Sequence, residues 1–196
     1  MTAPGSLPRL ATLVVGLGSA DRGDDAVGPE VARQVAALAL PGVEVLVHED
    51  PTDLIELWSG RPLVVVVDAI LSGSPAGGVR VLETGAEGAP LPGSAWAGTV
   101  GGGTHAFGLA EAVELARALR RLPQRLVLVG VEAVGFDYGA PLSPEVAAAV
   151  HGAVDTVAGI VGRDATAHPS VRSAAPPSVR STAVSTAGEG RADVSR

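Results

Sequence analysis

Thr12-Leu13-Val14-Val15-Gly16-Leu17 is followed without a break by Gly18-Ser19-Ala20-Asp21-Arg22-Gly23-Asp24-Asp25-Ala26-Val27-Gly28. The first six residues are apolar and rich in β-branched side chains, which reads as a buried strand. A glycine-rich turn follows and ends on two adjacent acids. From Val27 to Leu40 the apolar residues Val27, Val31, Val35 and Leu38 recur on one helical face. Pro29 falls in the first turn of that helix, where a missing N–H costs nothing. Strand, glycine turn and helix in this order open an α/β layered domain.

The same alternation continues outward. Val43 to Val47 predicts a second strand, and Asp53 to Trp58 a short helix capped by Thr52 or Asp50. Leu63 to Val67, apolar on both faces and stopped by Asp68, fits the centre of a parallel sheet. Val79-Arg80-Val81-Leu82-Glu83 alternates like an edge strand. Residues 84–104 form a long loop rich in Gly, Ala and Pro. A helix is expected from Ala106 to Leu119, stopped by Pro123. Arg125 to Val131 is a further buried strand. Pro144 to about Ile160 is a last helix, with Ser143 as cap and Pro144 at its first position. Residues 1–10 read as a short leader. The domain is expected to span 1–162, and the Ser/Thr/Ala/Pro-rich segment 163–196 to be a disordered tail. The pattern shows no internal repeat.

Composition narrows the chemistry. Hydrophobic residues make up 46 % of the chain but aromatics only 3 %, so the core must be built from Val, Leu, Ala and Ile. A net charge of -7 disfavours nucleic acid as a partner, because phosphate backbones would repel the chain. With no Cys there is no thiol nucleophile, disulfide or cysteine metal site. All 14 basic residues are Arg, which removes Schiff-base chemistry and the P-loop lysine. No Gly-x-Ser-x-Gly elbow is present. The apolar stretch Leu10 to Leu17 lacks the basic flank of a secretory signal, and Leu63 to Val67 is too short to cross a bilayer. A soluble cytoplasmic protein with no membrane partner is expected.

In open α/β sheets, ligands bind beyond the carboxyl ends of the strands. Three residues of suitable chemistry fall there: Asp25 in the turn after the first strand, Asp68 at the end of the third, and His105 in the loop entering a helix. Two carboxylates and an imidazole suit a divalent ion of the Zn, Mn or Ni kind. Three protein ligands leave coordination positions open, as in a reactive or substrate-sharing site. Each residue also has a plainer role. Asp24 or Asp25 can cap the first helix, though two adjacent acids cannot share one cap. Asp68, after a run of valines, sits close to low dielectric and needs a partner, which loop N–H groups can supply. His105 taken alone is a loop histidine bonded to backbone as readily as a ligand. Among the rest, His48 stands at the cleft rim with a structural role, His151 is half-exposed on the last helix, and His168 is solvated in the tail. Glu132 ends a strand near the same edge, either supporting a ligand or hydrogen-bonded structurally. Asp21 and Arg22 suit a loop ion pair.

The segment Gly16 to Gly28 resembles the opening signature of the hydrogenase maturation protease family. Three more stretches follow in the family's order: Val66-Val67-Asp68-Ala69, Thr104-His105-Ala106-Phe107-Gly108-Leu109, and Gly130-Val131-Glu132 leading to Leu142-Ser143-Pro144-Glu145-Val146. The resemblance covers roughly residues 12–160. It implies a three-layer α/β/α fold with a mixed, mainly parallel five-stranded sheet. It implies that Asp25, Asp68 and His105 are both the metal-binding and the catalytic residues. It implies as partner and substrate the precursor of a [NiFe] hydrogenase large subunit, loaded with nickel, from which a C-terminal extension is removed. The nickel is then expected to arrive with the substrate, with no organic cofactor. Either acid can serve as general base, or the metal can polarise the scissile carbonyl. The chain departs from the family in having Ser19 where Asn is usual, Ala26 where Gly is frequent, and the segment 163–196. Ser19 removes an amide expected to brace the turn.

Two other readings compete. The same triad can grip a nickel-loaded partner without cutting it, as a chaperone or scaffold. Gly16-x-Gly18 after a strand also suits a dinucleotide-binding oxidoreductase, but Asp21 stands where that motif needs its next glycine, and Asp24 and Asp25 add repulsion toward a pyrophosphate.

Overall fold

The computed structural model describes residues 12–89 and 108–167. Five strands form one sheet: β1 (Thr12–Leu17), β2 (Val43–His48), β3 (Leu63–Ile70), β4 (Val79–Thr84) and β5 (Arg125–Glu132). Their order is β2-β1-β3-β5-β4. The pairs β1/β2, β1/β3 and β3/β5 are parallel, and only β4 runs antiparallel, on β5. The helices are α1 (Val27–Ala37), α2 (Leu54–Leu57), α3 (Leu109–Ala118) and α4 (Pro144–Ala167). The layered α/β architecture is the one expected from the alternation of apolar runs, and the mixed, mainly parallel five-stranded sheet is the one the family resemblance implies.

The two faces of the sheet carry separate cores. On one, Val14, Val65, Val67, Val127 and Val129 pack against Val27, Val31 and Val35 of α1 and Val146, Val150 and Val157 of α4. On the other, Leu13, Val15, Val64, Val66 and Leu128 pack against Leu54 and Trp58 beside α2 and Leu109 and Val113 of α3. Successive strand residues alternate between the two, as pleated geometry requires. The central strands β1 and β3 are buried along their whole length, consistent with helices covering both faces. Each fully buried Val or Leu contributes about 1.5–3 kcal/mol relative to leaving it in water.

Several boundaries differ from the sequence reading. The first helix stops at Ala37 instead of Leu40: Leu38 is 49 % exposed and Ala39 takes a left-handed φ of 49°, which ends the helix. The third strand does not stop at Asp68 but runs on to Ile70, because β5 keeps pairing with it as far as Ile70↔Glu132. The short helix α2 itself has no side-chain cap bond; Asp50 caps the 3-10 turn Pro51–Asp53 that leads into it, its carboxylate accepting from Thr52 N–H at 2.8 Å. The third helix begins at Leu109, after the extended Gly108; Ala106 and Phe107 lie outside the described residues. The last helix continues past Ile160 to Ala167, so 163–167 are helical where a tail was expected. No proline interrupts before Pro169, and Asp164 lies 3.6 Å from Arg125 of β5. Residues 1–11, 90–107 and 168–196, including the leader, most of the long loop, His105 and His168, lie outside the described residues.

By length and composition α4 is apolar enough to cross a membrane, with mean hydropathy 1.2 over its richest stretch. Its apolar side is instead spent in the core through Val146, Val150, Ala153, Val154, Val157, Ile160 and Val161. That is the behaviour of a core helix.

Candidate functional site

The register explains why Asp68 can stand in a central strand. Pairing of β1 with β3 ends at Gly16↔Val67, one residue before Asp68. On the other side Asp68 is opposite Gly130 of β5. On one flank the pairing with β1 has ended, and the residue on the other carries no side chain. Asp68 is 3 % exposed, and by alternation it shares the α2/α3 face with Val64, Val66 and Ile70. A buried carboxylate is costly unless hydrogen-bonded or paired, and these two open flanks give it room to be so.

Asp25 arrives from the other layer. After Leu17 the chain turns through Gly18, whose φ of 126° is open only to glycine. A Cβ at Gly18 would collide with the Asp25 carbonyl and lie 3.0 Å from its Oδ1. The turn therefore folds directly beneath Asp25, and Ser19 N–H donates to Asp25 Oδ2 at 2.8 Å. That donor is backbone, so the brace does not depend on the side chain at position 19. The expected loss from having Ser in place of Asn is not visible in this contact. Asp25 lies in a short 3-10 turn, Gly23–Ala26, that leads into α1 and packs against β3.

The approach of α1 to the sheet sets this placement. A Cβ on Gly16 would strike the Gly28 carbonyl, and one on Gly28 would strike the Leu17 carbonyl and lie 2.7 Å from Val67 O. Two facing glycines thus let the first turn of α1 lie on the backbone of β1 and β3, next to Asp68.

Neither Asp24 nor Asp25 caps α1: the residue before the helix is Ala26, with no side-chain cap bond. Asp24 turns inward instead and is 1 % exposed. Its Oδ1 accepts from Ser143 N–H at 2.6 Å, and its Oδ2 from Val134 N–H at 2.7 Å and Ser143 Oγ at 3.0 Å. Sequence reading missed this role. The one signal was that two adjacent acids cannot share a cap; the partners themselves lie more than a hundred residues away.

His105 is three positions before Gly108, the residue that precedes α3, and lies outside the described residues. Among the described residues no three His, Asp or Glu side chains gather as a metal-binding group. What the structure brings together is therefore the two elements that bear Asp25 and Asp68.

The remaining candidates resolve as structural. Glu132 is 2 % exposed and accepts from the N–H groups of Ser72, Gly73 and Ser74 at 2.7, 2.8 and 3.2 Å, and from Ser72 Oγ at 2.7 Å. It holds the loop after β3. His48 lies 3.6 Å from Asp53 through Nδ1, and its carbonyl accepts from Gly18 N–H at 2.9 Å. The His151 side chain is 85 % exposed rather than half-exposed, 3.6 Å from Asp155. No Asp21–Arg22 ion pair forms among the described residues; Asp21 uses its carbonyl, which accepts from Gly139 N–H at 2.7 Å.

Comparison with known proteins agrees with this architecture. A family model described as HycI, hydrogenase maturation protease, matches residues 49–160. That span contains Asp68 and His105, and the turn bearing Asp25 precedes it. A search among curated proteins finds no match. In fold the structure is similar to the hydrogenase maturating endopeptidase HybD from E. coli, at 23 % identity and a TM-score of 0.66 over 78 % of this chain and 93 % of that one. It is also similar to the [NiFe] hydrogenase maturation protease HycI from Thermococcus kodakarensis KOD1 (24 % identity, TM-score 0.59, 79 % and 94 % covered). A third likeness is to HybD from Thermococcus kodakarensis (27 % identity, TM-score 0.52, 76 % and 97 % covered). With more than half of its length matched by the family model and its sheet and helices in the same arrangement, the chain belongs to the hydrogenase maturation proteases and is a peptidase of that type.

Proposed function

We propose that this peptidase removes a C-terminal extension from the precursor of a [NiFe] hydrogenase large subunit, in the cytoplasm, and that Asp25, Asp68 and His105 meet the nickel carried by that precursor. The observation that carries the reading is Asp68: a carboxylate 3 % exposed near the carboxyl end of the central strand, opposite a glycine and just beyond the last residue paired with β1. Asp25, on the turn packed against the same strand, supplies a second oxygen donor, and His105, ahead of α3, an imidazole.

Two carboxylates and one imidazole form an incomplete set for a nickel-like ion and leave positions for groups of the substrate. Such a site favours a precursor that brings its own ion, which makes cleavage conditional on loading. Asp25 or Asp68 then stands where a base can take the proton of the attacking water.

The Asp25 contact also speaks against the dinucleotide reading. Ser19 N–H, one of the turn amides a pyrophosphate would use, is already held by a carboxylate.

The test is incubation with nickel-loaded and nickel-free precursor followed by intact mass. A shortened chain only in the loaded sample is the expected result. Asp68→Ala and His105→Ala should each abolish the cut while leaving the circular dichroism spectrum unchanged. A loaded precursor that binds tightly but keeps its full mass would favour the scaffold role instead.

A further inference from the structure

Asp24 is chemically a neighbour of the proposed site yet faces away from it. Besides the three bonds described above, its Oδ2 lies 3.4 Å from Gly135 N–H. The backbone reinforces the same join: Asp24 N–H donates to Gly135 O at 3.1 Å, Gly23 N–H to Ala140 O at 3.1 Å, and Gly139 N–H to Asp21 O at 2.7 Å. Gly23 has a φ of 54°, and a Cβ there would sit 2.9 Å from Gly135 O. The turn at Asp21–Asp24 is thus sewn to the segment 134–143 between β5 and α4, and Ser143 in turn receives Val146 N–H at 3.4 Å to cap α4.

We infer that Asp24 is a positioning residue for Asp25: it anchors the turn to β5 and α4 so that the next carboxylate is held at one place beside Asp68. The inference rests on the proposed role of Asp25. The two residues are consecutive in a single 3-10 turn, so a change in the anchored backbone of Asp24 is transmitted to Asp25 without an intervening rotatable side chain. The anchor is demanding in chemistry. Both oxygens of Asp24 face fixed backbone donors, Ser143 N–H at Oδ1 and Val134 N–H at Oδ2. An amide in its place must turn its NH2 toward one of them, donor against donor, in either orientation. Glu132 makes the contrast: its three backbone donors all meet Oε1, and its Oε2 meets a hydroxyl that can rotate to accept instead.

The experiment compares Asp24→Asn with Arg61→Met, which breaks the pair between buried Arg61 and half-buried Glu44 before β3, at the opposite end of the sheet. Both are assayed on nickel-loaded precursor at a temperature where circular dichroism shows each fully folded. Asp24→Asn is expected to lower kcat on the order of 10- to 100-fold with KM little changed, the range for residues that orient metal-site ligands. Arg61→Met should lose melting temperature and keep kcat. Equal kcat values for the two variants would overturn the inference, since Asp24 would then serve stability alone. Should Asp24→Asn not fold, Ser143→Ala removes one donor from the same carboxylate; a smaller fall in kcat supports the inference and an unchanged kcat overturns it. If the wild-type protein leaves loaded precursor uncut, it is the proposed function beneath the inference that fails.

Discussion

The two layers flanking the sheet are built on different principles. The α1/α4 layer is made almost wholly of Val and Ala, and its closest approach is glycine on backbone at Gly16 and Gly28. The α2/α3 layer is made of larger side chains, Leu13, Leu17, Leu54, Leu109, Leu126, Leu128 and the fully buried Trp58. In the first, backbone meets backbone, so there is little freedom in where the helix lies. In the second, side chains intervene and can repack when one of them changes. The proposed site takes Asp25 from the rigid layer and Asp68 from a position facing the other, with His105 ahead of α3. An acid that must hold a set place comes from the layer that cannot shift.

Gly28→Ala is the severest challenge to this contrast. Its new Cβ meets the carbonyls of Leu17 and Val67, both backbone, which cannot move aside as a side chain tip would. Overpacking there should cost about 3 kcal/mol or more in urea unfolding, at the upper end for such changes. Processing should fall further than the loss of folded protein explains. If the variant unfolds like wild type, the rigid layer is not rigid.

Trp58→Phe probes the adaptable layer. The Trp58 Nε1 is buried without a hydrogen-bond partner among the described residues. Phe removes ring volume, which costs, and removes an unpaired donor, which helps. The net loss should be only about 1 kcal/mol, far below the 3–5 kcal/mol typical of Trp→Ala. A loss as large as that of Gly28→Ala would erase the difference between the layers.

The smallest effect is expected at the rim. Arg125 pairs with Glu83 of β4 at 2.6 Å and lies 3.6 Å from Asp164 of α4. The hydrogen bond from Arg125 holds the Glu83 carboxyl below its ordinary value. A depressed carboxyl contributes stability that is present above its unfolded value near 4.5 and lost as pH falls through the folded one. Because the pair is exposed, Glu83→Gln should cost only about 0.2–1 kcal/mol at pH 7. The gap between variant and wild type should narrow in unfolding measured at progressively lower pH, as the carboxyl is protonated in the folded state as well.

Much of this was legible beforehand because it depends on local pattern. The run Thr12–Leu17, the glycine turn and the spacing of Val27, Val31 and Val35 define β1, the turn and α1 from neighbouring residues alone. What escaped depends on distant partners. Asp68 looks like a strand end in one dimension; only pairing with Gly130 and the departure of β1 show why the strand continues through it. Asp24 looks like a helix cap until Val134 and Ser143 come into view. Arg125 explains why α4 outlasts its expected end, through Asp164. The two acids of the proposed site were expected from their places at the ends of strands, a rule of topology, while the way the turn bearing Asp25 lies against the sheet comes from glycine contacts that no local pattern reveals.

The lone antiparallel strand carries a consequence for synthesis. Among the described residues β4 has β5 as its single neighbour in the sheet, yet it leaves the ribosome well before residues 125–132 do. While translation continues through 85–124, the Val79–Thr84 segment is a nascent strand whose native neighbour does not yet exist, and its apolar residues Val79, Val81 and Leu82 are available to other chains. Because long-range pairing is slow to form and unpaired strands invite association, overproduction at high temperature should put this segment at the centre of any inclusion-body material.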